Sequence, residues 1–162
     1  MAHNVELKAH LPDPEAALAR SLALGAQDQG TLHQRDTYFP ARHGRLKLRE
    51  IRGGATELIA YSRADTEESK LSTYEITPIA DGRALRAALG VRVVVTKARR
   101  LLLLDNVRIH LDTVEGLGSF IEFEAVLGPD SDRAANEAKV AKLAAELEVG
   151  ERVAVGYADL LE

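Results

Sequence analysis

Cysteine and tryptophan are absent, and the 162 residues hold only 3 Phe, 4 Tyr, 5 Pro and 12 Gly. Without cysteine there is no disulfide framework, thiolate nucleophile, Cys-ligated zinc or iron-sulfur cluster, so any metal must sit on Asp, Glu, His or carbonyl oxygen. Few glycines and prolines exclude collagen-like and low-complexity classes. The scarcity of aromatics and a net charge of -4 argue against a nucleic-acid binder, which needs a basic surface and stacking rings. No apolar run approaches the roughly 18 residues of a membrane span, and MAHNVELKAH lacks the basic and apolar regions of a secretory signal. The expectation is a cytoplasmic protein with no membrane and no nucleic-acid partner. What is present is a globular composition, 46% hydrophobic and 28% charged, of a length typical for one domain spanning residues 1–162.

Alternation of polar and apolar residues marks most of the chain as strand. Asn4, Glu6, Lys8 and His10 alternate with Val5, Leu7 and Ala9. Asp13-Pro14-Glu15 opens an Ala/Leu-rich helix that stops at Gly25, with an N-cap, a proline in the first turn and a glycine at the end. Strands follow at Gly30 to Phe39, Gly44 to Ile51 and, after a Gly53-Gly54 turn, Glu57 to Arg63. Ala64 to Lys70 reads as a charged loop before a strand at Ser72 to Pro78, and Asp81 to Leu89 as a brief helix closed by Gly90. Val91 to Leu104 makes one long strand or two short ones. Val107 to Val114 and Ser119 to Leu127 are strands separated by the turn at Gly116 and Gly118. Asp132 then caps a helix carrying Val140, Leu143, Ala144 and Leu147 at helical spacing. The total is about eight strands and three helices.

The polar strand faces are unusually charged. Glu6 and Lys8; Arg45, Lys47 and Arg49; Lys97 and Arg99; Arg108 and Asp112; Glu122 and Glu124 each repeat along their own strand. A single charged face is ordinary for an exposed sheet. Five together suggest an α+β fold in which an eight-stranded antiparallel barrel turns its charged faces into a lumen and its apolar faces out under helices. Cations gathered inside such a lumen need anions, and the acids available on those faces are too few to neutralise every Lys and Arg, so a polyanionic ligand is expected. Carboxylates at Glu6, Glu122 and Glu124 beside a Lys/Arg field suit Mg²⁺ or Mn²⁺ bridging carboxylate and phosphate oxygens. Histidines 3, 10, 33 and 43 show no paired metal spacing. His110 shares a face with Arg108 and Asp112 and is read as hydrogen-bonded to a neighbouring carboxylate. Tyr38 and Phe39 are read as packing residues, and Glu75 as solvated or lining the lumen. No Ser/His/Asp constellation is traceable.

These residues resemble a known family. NVELK at the N-terminus resembles the ExExK signature of CYTH proteins, the triphosphate tunnel metalloenzymes that include class IV adenylyl cyclases and thiamine triphosphatases. The resemblance extends through DTYF at Asp36 to Phe39, GRLKLRE at Gly44 to Glu50, the long segment from Thr96 to Gly118, FIEFEAV at Phe120 to Val126 and YADLL at Tyr157 to Leu161. ExExK alone is a weak motif, the ordered set a strong one, and the segment from Val107 to Val126 is most like the class IV cyclase-like branch. The resemblance implies a tunnel that binds a triphosphate such as ATP, tripolyphosphate or thiamine triphosphate with Mg²⁺ or Mn²⁺, the outcome being cyclisation of ATP or hydrolysis. It implies metal ligation by Glu6, Glu122 and Glu124, phosphate binding by Lys8, Lys47, Arg49, Arg63, Lys97, Arg99 and Arg108, and catalytic roles for Lys8 and Asp112. Asn4 stands where the signature has its first Glu; this removes one charge from the metal site, although an amide carbonyl can still bind a cation. A non-catalytic polyphosphate- or nucleotide-binding barrel is the rival from another class, and a homodimer is left open.

Overall fold

A computed structural model describes residues 2–162. Its order is β1 (Ala2–His10), α1 (Pro14–Ala23), β2 (Gln27–Phe39), β3 (Arg45–Ile51), β4 (Thr56–Arg63), β5 (Lys70–Pro78), α2 (Arg83–Leu89), β6 (Val93–Leu104), β7 (Val107–Val114), β8 (Gly118–Leu127), α3 (Arg133–Glu146) and α4 (Tyr157–Leu161). The strands close into a barrel in the order β1-β5-β4-β3-β2-β6-β7-β8, every neighbouring pair antiparallel. The fold class is the one read from the strand faces. No described helix is long and apolar enough to cross a membrane.

Local chemistry sets the element ends. Asp13 accepts from the Ala16 amide at 3.0 Å and Asp132 from the Ala135 amide at 3.2 Å, so both expected N-caps form. Val91 to Leu104 resolves into one strand, β6, and Asp105 at φ 52° turns the chain into β7. β2 starts three residues earlier than expected; its pairing with β6 shifts register between Asp28 and Thr31, where Gly30 takes φ +87°. A fourth helix, α4, is added to the three expected.

Period-two alternation then sorts the side chains. Val5, Leu7, Ala9, Ile109, Ile121, Phe123 and Ala125 point outward and are buried beneath α1 and α3, whose Ala17, Val140, Leu143, Ala144 and Leu147 belong to the same apolar cluster. The odd-even partners on β1, β7 and β8 therefore face inward. A second cluster fills one end of the barrel. Tyr38, Val95, Val114 and Phe120 from the strands meet Val153, Tyr157 and Ala158 from the C-terminal segment, so α4 plugs that end. Toward the other end the inner wall includes Leu32, Leu101, Ile76 and half-buried Arg108, with Ile76 46% exposed, and there the lumen meets solvent.

Candidate active site

The lumen is a cavity of about 260 Å³ whose walls carry Asn4, Glu6 and Lys8 from β1, Lys47 and Arg49 from β3, Arg63 from β4, Lys97 and Arg99 from β6, Arg108 and His110 from β7, and Glu122 and Glu124 from β8. Every candidate metal ligand and phosphate-binding cation named from the sequence thus lines one space. Asp112, on the same β7 face as Arg108 and His110, lies deeper toward the plug and does not line the cavity. Its oxygens accept Arg99 Nε and Nη2 at 2.8 Å each, and Tyr157 Oη donates to Oδ2 at 2.7 Å. Burial raises this carboxyl, but Arg99 overrides it and holds the pKa at about 2. With both oxygens engaged, Asp112 fixes the Arg99 guanidinium in a bidentate fork.

The charges are unevenly placed. Strands β1 and β8 form a carboxylate-rich wall with Glu6, Glu122 and Glu124, and β3 and β6 a cationic one with Lys47, Arg49, Lys97 and Arg99, while Lys8, Arg63 and Arg108 stand among the carboxylates and Arg99 reaches Glu122 at 3.6 Å. On the cationic wall Asp36 is fully buried and anchors three cations: Arg49 Nε and Nη2 donate at 2.8 and 2.7 Å, and Lys47 and Lys97 Nζ each lie 3.2 Å away. Burial alone would raise the Asp36 carboxyl; Arg49, Lys47 and Lys97 hold it well below the usual range. Burial, reinforced by Arg99, pushes the Lys97 ammonium well below its ordinary value, so this wall is short of anions even with Asp36 in it. The cations are nevertheless more nearly compensated than the sequence suggested, because Asp36 and Asp112 act from inside the sheet.

On the carboxylate wall, Glu6 Oε2 accepts Arg63 Nη1 at 3.1 Å, and Lys8 Nζ lies 3.6 Å from Glu122 and 4.0 Å from the centre of the Tyr157 ring. Burial and the neighbouring Glu124 and Glu122 carboxylates push Glu6 up to about 8. Burial pulls the Lys8 amine down to about 8. Glu122 is held well below the usual carboxylate range; burial opposes this, but Lys8, the His110 imidazole and Arg99 prevail. Asn4 turns its amide nitrogen to Glu124 Oε2 at 3.2 Å, while its carbonyl oxygen accepts Tyr74 Oη at 3.4 Å. His110 Nδ1, Glu122 and Glu124 each offer a donor atom within one small volume. These residues fit a divalent cation: the imidazole nitrogen is buried without an aligned hydrogen bond, although carboxylate oxygens are 3.1 and 3.5 Å away.

The remaining readings also find their places. Arg45 pairs with Asp159 at the plugged end, Arg100 pairs with Asp28 on the outside, and Glu75 is exposed. Tyr38 and Phe39 are packing residues, both buried, with Tyr38 in the plug. Residues the sequence did not single out are Asp36, Tyr157, the lining Tyr61 and Tyr74, and Lys70, whose buried ammonium donates to the Ala154 carbonyl at 2.7 Å and ties the C-terminal segment to the barrel.

The sequence matches the CYTH domain over residues 2–155. This chain belongs to the CYTH family. Solved structures share its fold over nearly its whole length. A Pyrococcus horikoshii protein is 24% identical, with a TM-score of 0.83, covering 97% of this chain and 98% of that one. A Vibrio parahaemolyticus protein described as a candidate adenylate cyclase is 20% identical, with a TM-score of 0.81, covering 98% and 97%. A candidate adenylyl cyclase from Hippeastrum, described as having a dominant triphosphatase activity, is 15% identical, with a TM-score of 0.66, covering 99% and 94%. No curated protein matches the chain. At these identities the likeness concerns the fold; the chemistry rests on the side chains of this CYTH barrel.

Proposed function

We propose that this CYTH protein is a divalent-metal-dependent enzyme that acts on a nucleoside triphosphate, converting ATP to cyclic AMP and pyrophosphate. The observation that carries this reading is a lumen closed at one end in which carboxylates cluster on β1 and β8 and Lys and Arg on β3 and β6. A triphosphate laid along it has one flank for metal and one for Lys and Arg. Phosphate enters toward the plug, and the organic end stays near Leu32, Leu101, Ile76 and Tyr74, whose apolar surface suits a base better than it suits bare polyphosphate.

Glu6, Glu122, Glu124 and His110 are the residues that would hold the metal. When bound, Mg²⁺ or Mn²⁺ supplies Lewis-acid polarisation of a phosphoryl oxygen. Lys47, Arg49, Lys97, Arg99 and Arg63 bind the phosphate oxygens, and Asp36 and Asp112 orient them. Arg99 and Arg49, held as planar forks, match phosphate geometry. In cyclisation the ribose 3′ oxygen forms a bond to the α-phosphorus, the bond from that phosphorus to the β-phosphate oxygen breaks, and the hydroxyl proton passes to a base. Charge developing on the departing pyrophosphate meets the fixed cations. Lys8, its pKa lowered to about 8 by burial, stays mostly protonated at physiological pH and holds a proton beside that charge.

The second reading is triphosphate hydrolysis, with water attacking the terminal phosphorus. What favours it is the position of Lys8 against Tyr157 at the plugged end, where the terminal phosphate comes to rest. Fold likeness does not choose between the two. Incubating the protein with ATP, tripolyphosphate and thiamine triphosphate in Mg²⁺ or Mn²⁺, and identifying the products, tests both. Cyclic AMP with pyrophosphate supports the first; inorganic phosphate without cyclic AMP moves the assignment to hydrolase; no metal-dependent turnover of any of the three leaves a binding barrel and rejects the enzyme reading.

A further inference from the structure

The geometry points to a mixed nitrogen and oxygen metal site, His110 with Glu122 and Glu124, that selects a first-row transition dication such as Mn²⁺ or Co²⁺ over Mg²⁺. It deepens the metal-dependent reading above and rests on it. Three observations converge. His110 Nδ1 lies 3.1 Å from Glu124 Oε1 and 3.5 Å from Glu122 Oε1, the edge lengths expected between donor atoms that share one cation at about 2.1 Å. The histidine is 95% withdrawn from solvent, and this nitrogen, with no aligned hydrogen bond, has the two carboxylates as its nearest polar neighbours and is aimed into the cluster. Asn4, on the β1 strand alongside, presents its NH2 group to Glu124, and its carbonyl oxygen accepts from the Tyr74 hydroxyl. Asn4 therefore supplies no oxygen here, and the third donor is an imidazole.

The change of donor matters chemically. Mg²⁺ is a hard ion that demands oxygen in near-octahedral arrangement and gives up water reluctantly, whereas imidazole is a good ligand for Mn²⁺, Co²⁺ and Zn²⁺, with affinity rising along that part of the series. The backbone reinforces the choice. His110 and Glu122 are directly opposite in the β7–β8 register, and Glu124 sits two residues along the same face, so the three side chains leave adjacent strands on one side of the sheet. Outside, Ile109, Ile121 and Phe123 are fully buried under the helices, which fixes the strands that carry the donors.

The test uses the full chain freed of metal by chelation, titrated calorimetrically with MnCl2, CoCl2 and MgCl2 without nucleotide, and repeated for His110→Gln. The expected result is tighter binding of Mn²⁺ and Co²⁺ than of Mg²⁺, and a loss of roughly tenfold or more in Mn²⁺ and Co²⁺ affinity in the variant with Mg²⁺ nearly unchanged, the scale on which a lost metal contact acts. Electron spin echo modulation of Mn²⁺ bound to the unaltered protein gives a second readout, independent of whether the variant folds. A directly bonded nitrogen supports the site. Mn²⁺ bound with no nitrogen modulation, or His110→Gln lowering Mg²⁺ and Mn²⁺ equally, overturns the imidazole ligand while leaving a carboxylate metal site and the enzyme reading intact. Failure of all three ions to bind overturns both.

Discussion

Asp36 is the residue on which the cationic wall depends. One fully buried carboxylate serves Arg49, Lys47 and Lys97, and removing it leaves three cations facing each other in a desolvated space. Breaking a buried charge network in this way costs on the order of 3–5 kcal/mol. Asp36→Asn is therefore expected to lower the melting temperature substantially, and to regain more stability on adding tripolyphosphate than the unaltered protein does, because the ligand then supplies the missing anion. Equal ligand-induced shifts in both proteins would sink this account. The pH dependence has a definite sign. The folded carboxyl is held below the unfolded value of about 3.9, so its stabilisation is complete above that pH and is lost as pH falls through the folded value. Acid unfolding should be less steep in Asp36→Asn below about pH 4. Alternation made the Lys and Arg of the lumen legible from sequence, since i, i+2 repeats reveal a shared face. Asp36 was not legible as a lumen residue because it is a lone acid between Arg35 and Thr37, and its three partners come from two other strands.

At the scale of elements, most of the barrel could be read because caps, glycine turns and period-two patterning agree with one another at each strand and at α1 and α3. The exception is α4. Five residues, YADLL, are too few to display a helical period, and the helix exists because of what it covers. The contacts of Tyr157, a residue the resemblance had touched only as part of YADLL, were hidden for the same reason: its hydroxyl reaches Asp112 and its ring packs edge-on to Phe120, 45 and 37 positions away in sequence. The plug is pinned by Asp159, which accepts from Arg45 and Arg92 at 3.1 Å and from the Gly156 amide at 3.3 Å. Asp159→Ala should release this short helix without opening the barrel. Hydrogen exchange is expected to quicken at residues 156–162 and to stay slow in β1, β7 and β8, with weaker triphosphate binding as Tyr157 loosens its hold on Asp112 and hence Arg99. Exchange that accelerates across the strands as well, or not at all, would show that α4 is not an independently held plug.

Over the whole molecule, the chain is acidic, at net charge -4, yet its interior gathers Lys and Arg on β3 and β6 opposite and beside a carboxylate-rich region on β1 and β8. Net charge therefore says little about the ligand, and the sequence revealed the lumen only through the coincidence of charged faces on several strands. Closure of the sheet is what converts those faces into opposed walls, since β1 and β8 stand across the ring from β2 and β3. Opposed walls make binding and turnover separable. Replacing Glu122 and Glu124 together with Gln keeps side-chain size and removes two negative charges from the lumen, leaving Lys8, Arg99 and Arg108 with less competition for phosphate. Tripolyphosphate should then bind more tightly in the absence of metal, read by calorimetry. Metal-dependent turnover should fall by at least a hundredfold, because the residues that hold the cation have lost their charge, a loss of about 2.7 kcal/mol or more in transition-state stabilisation. Circular dichroism establishes that the double variant is folded before either number is compared. A folded variant that binds tripolyphosphate more weakly without metal denies that the two walls compete for charge, and one that keeps its metal-dependent rate shows that the cation works from somewhere other than β8.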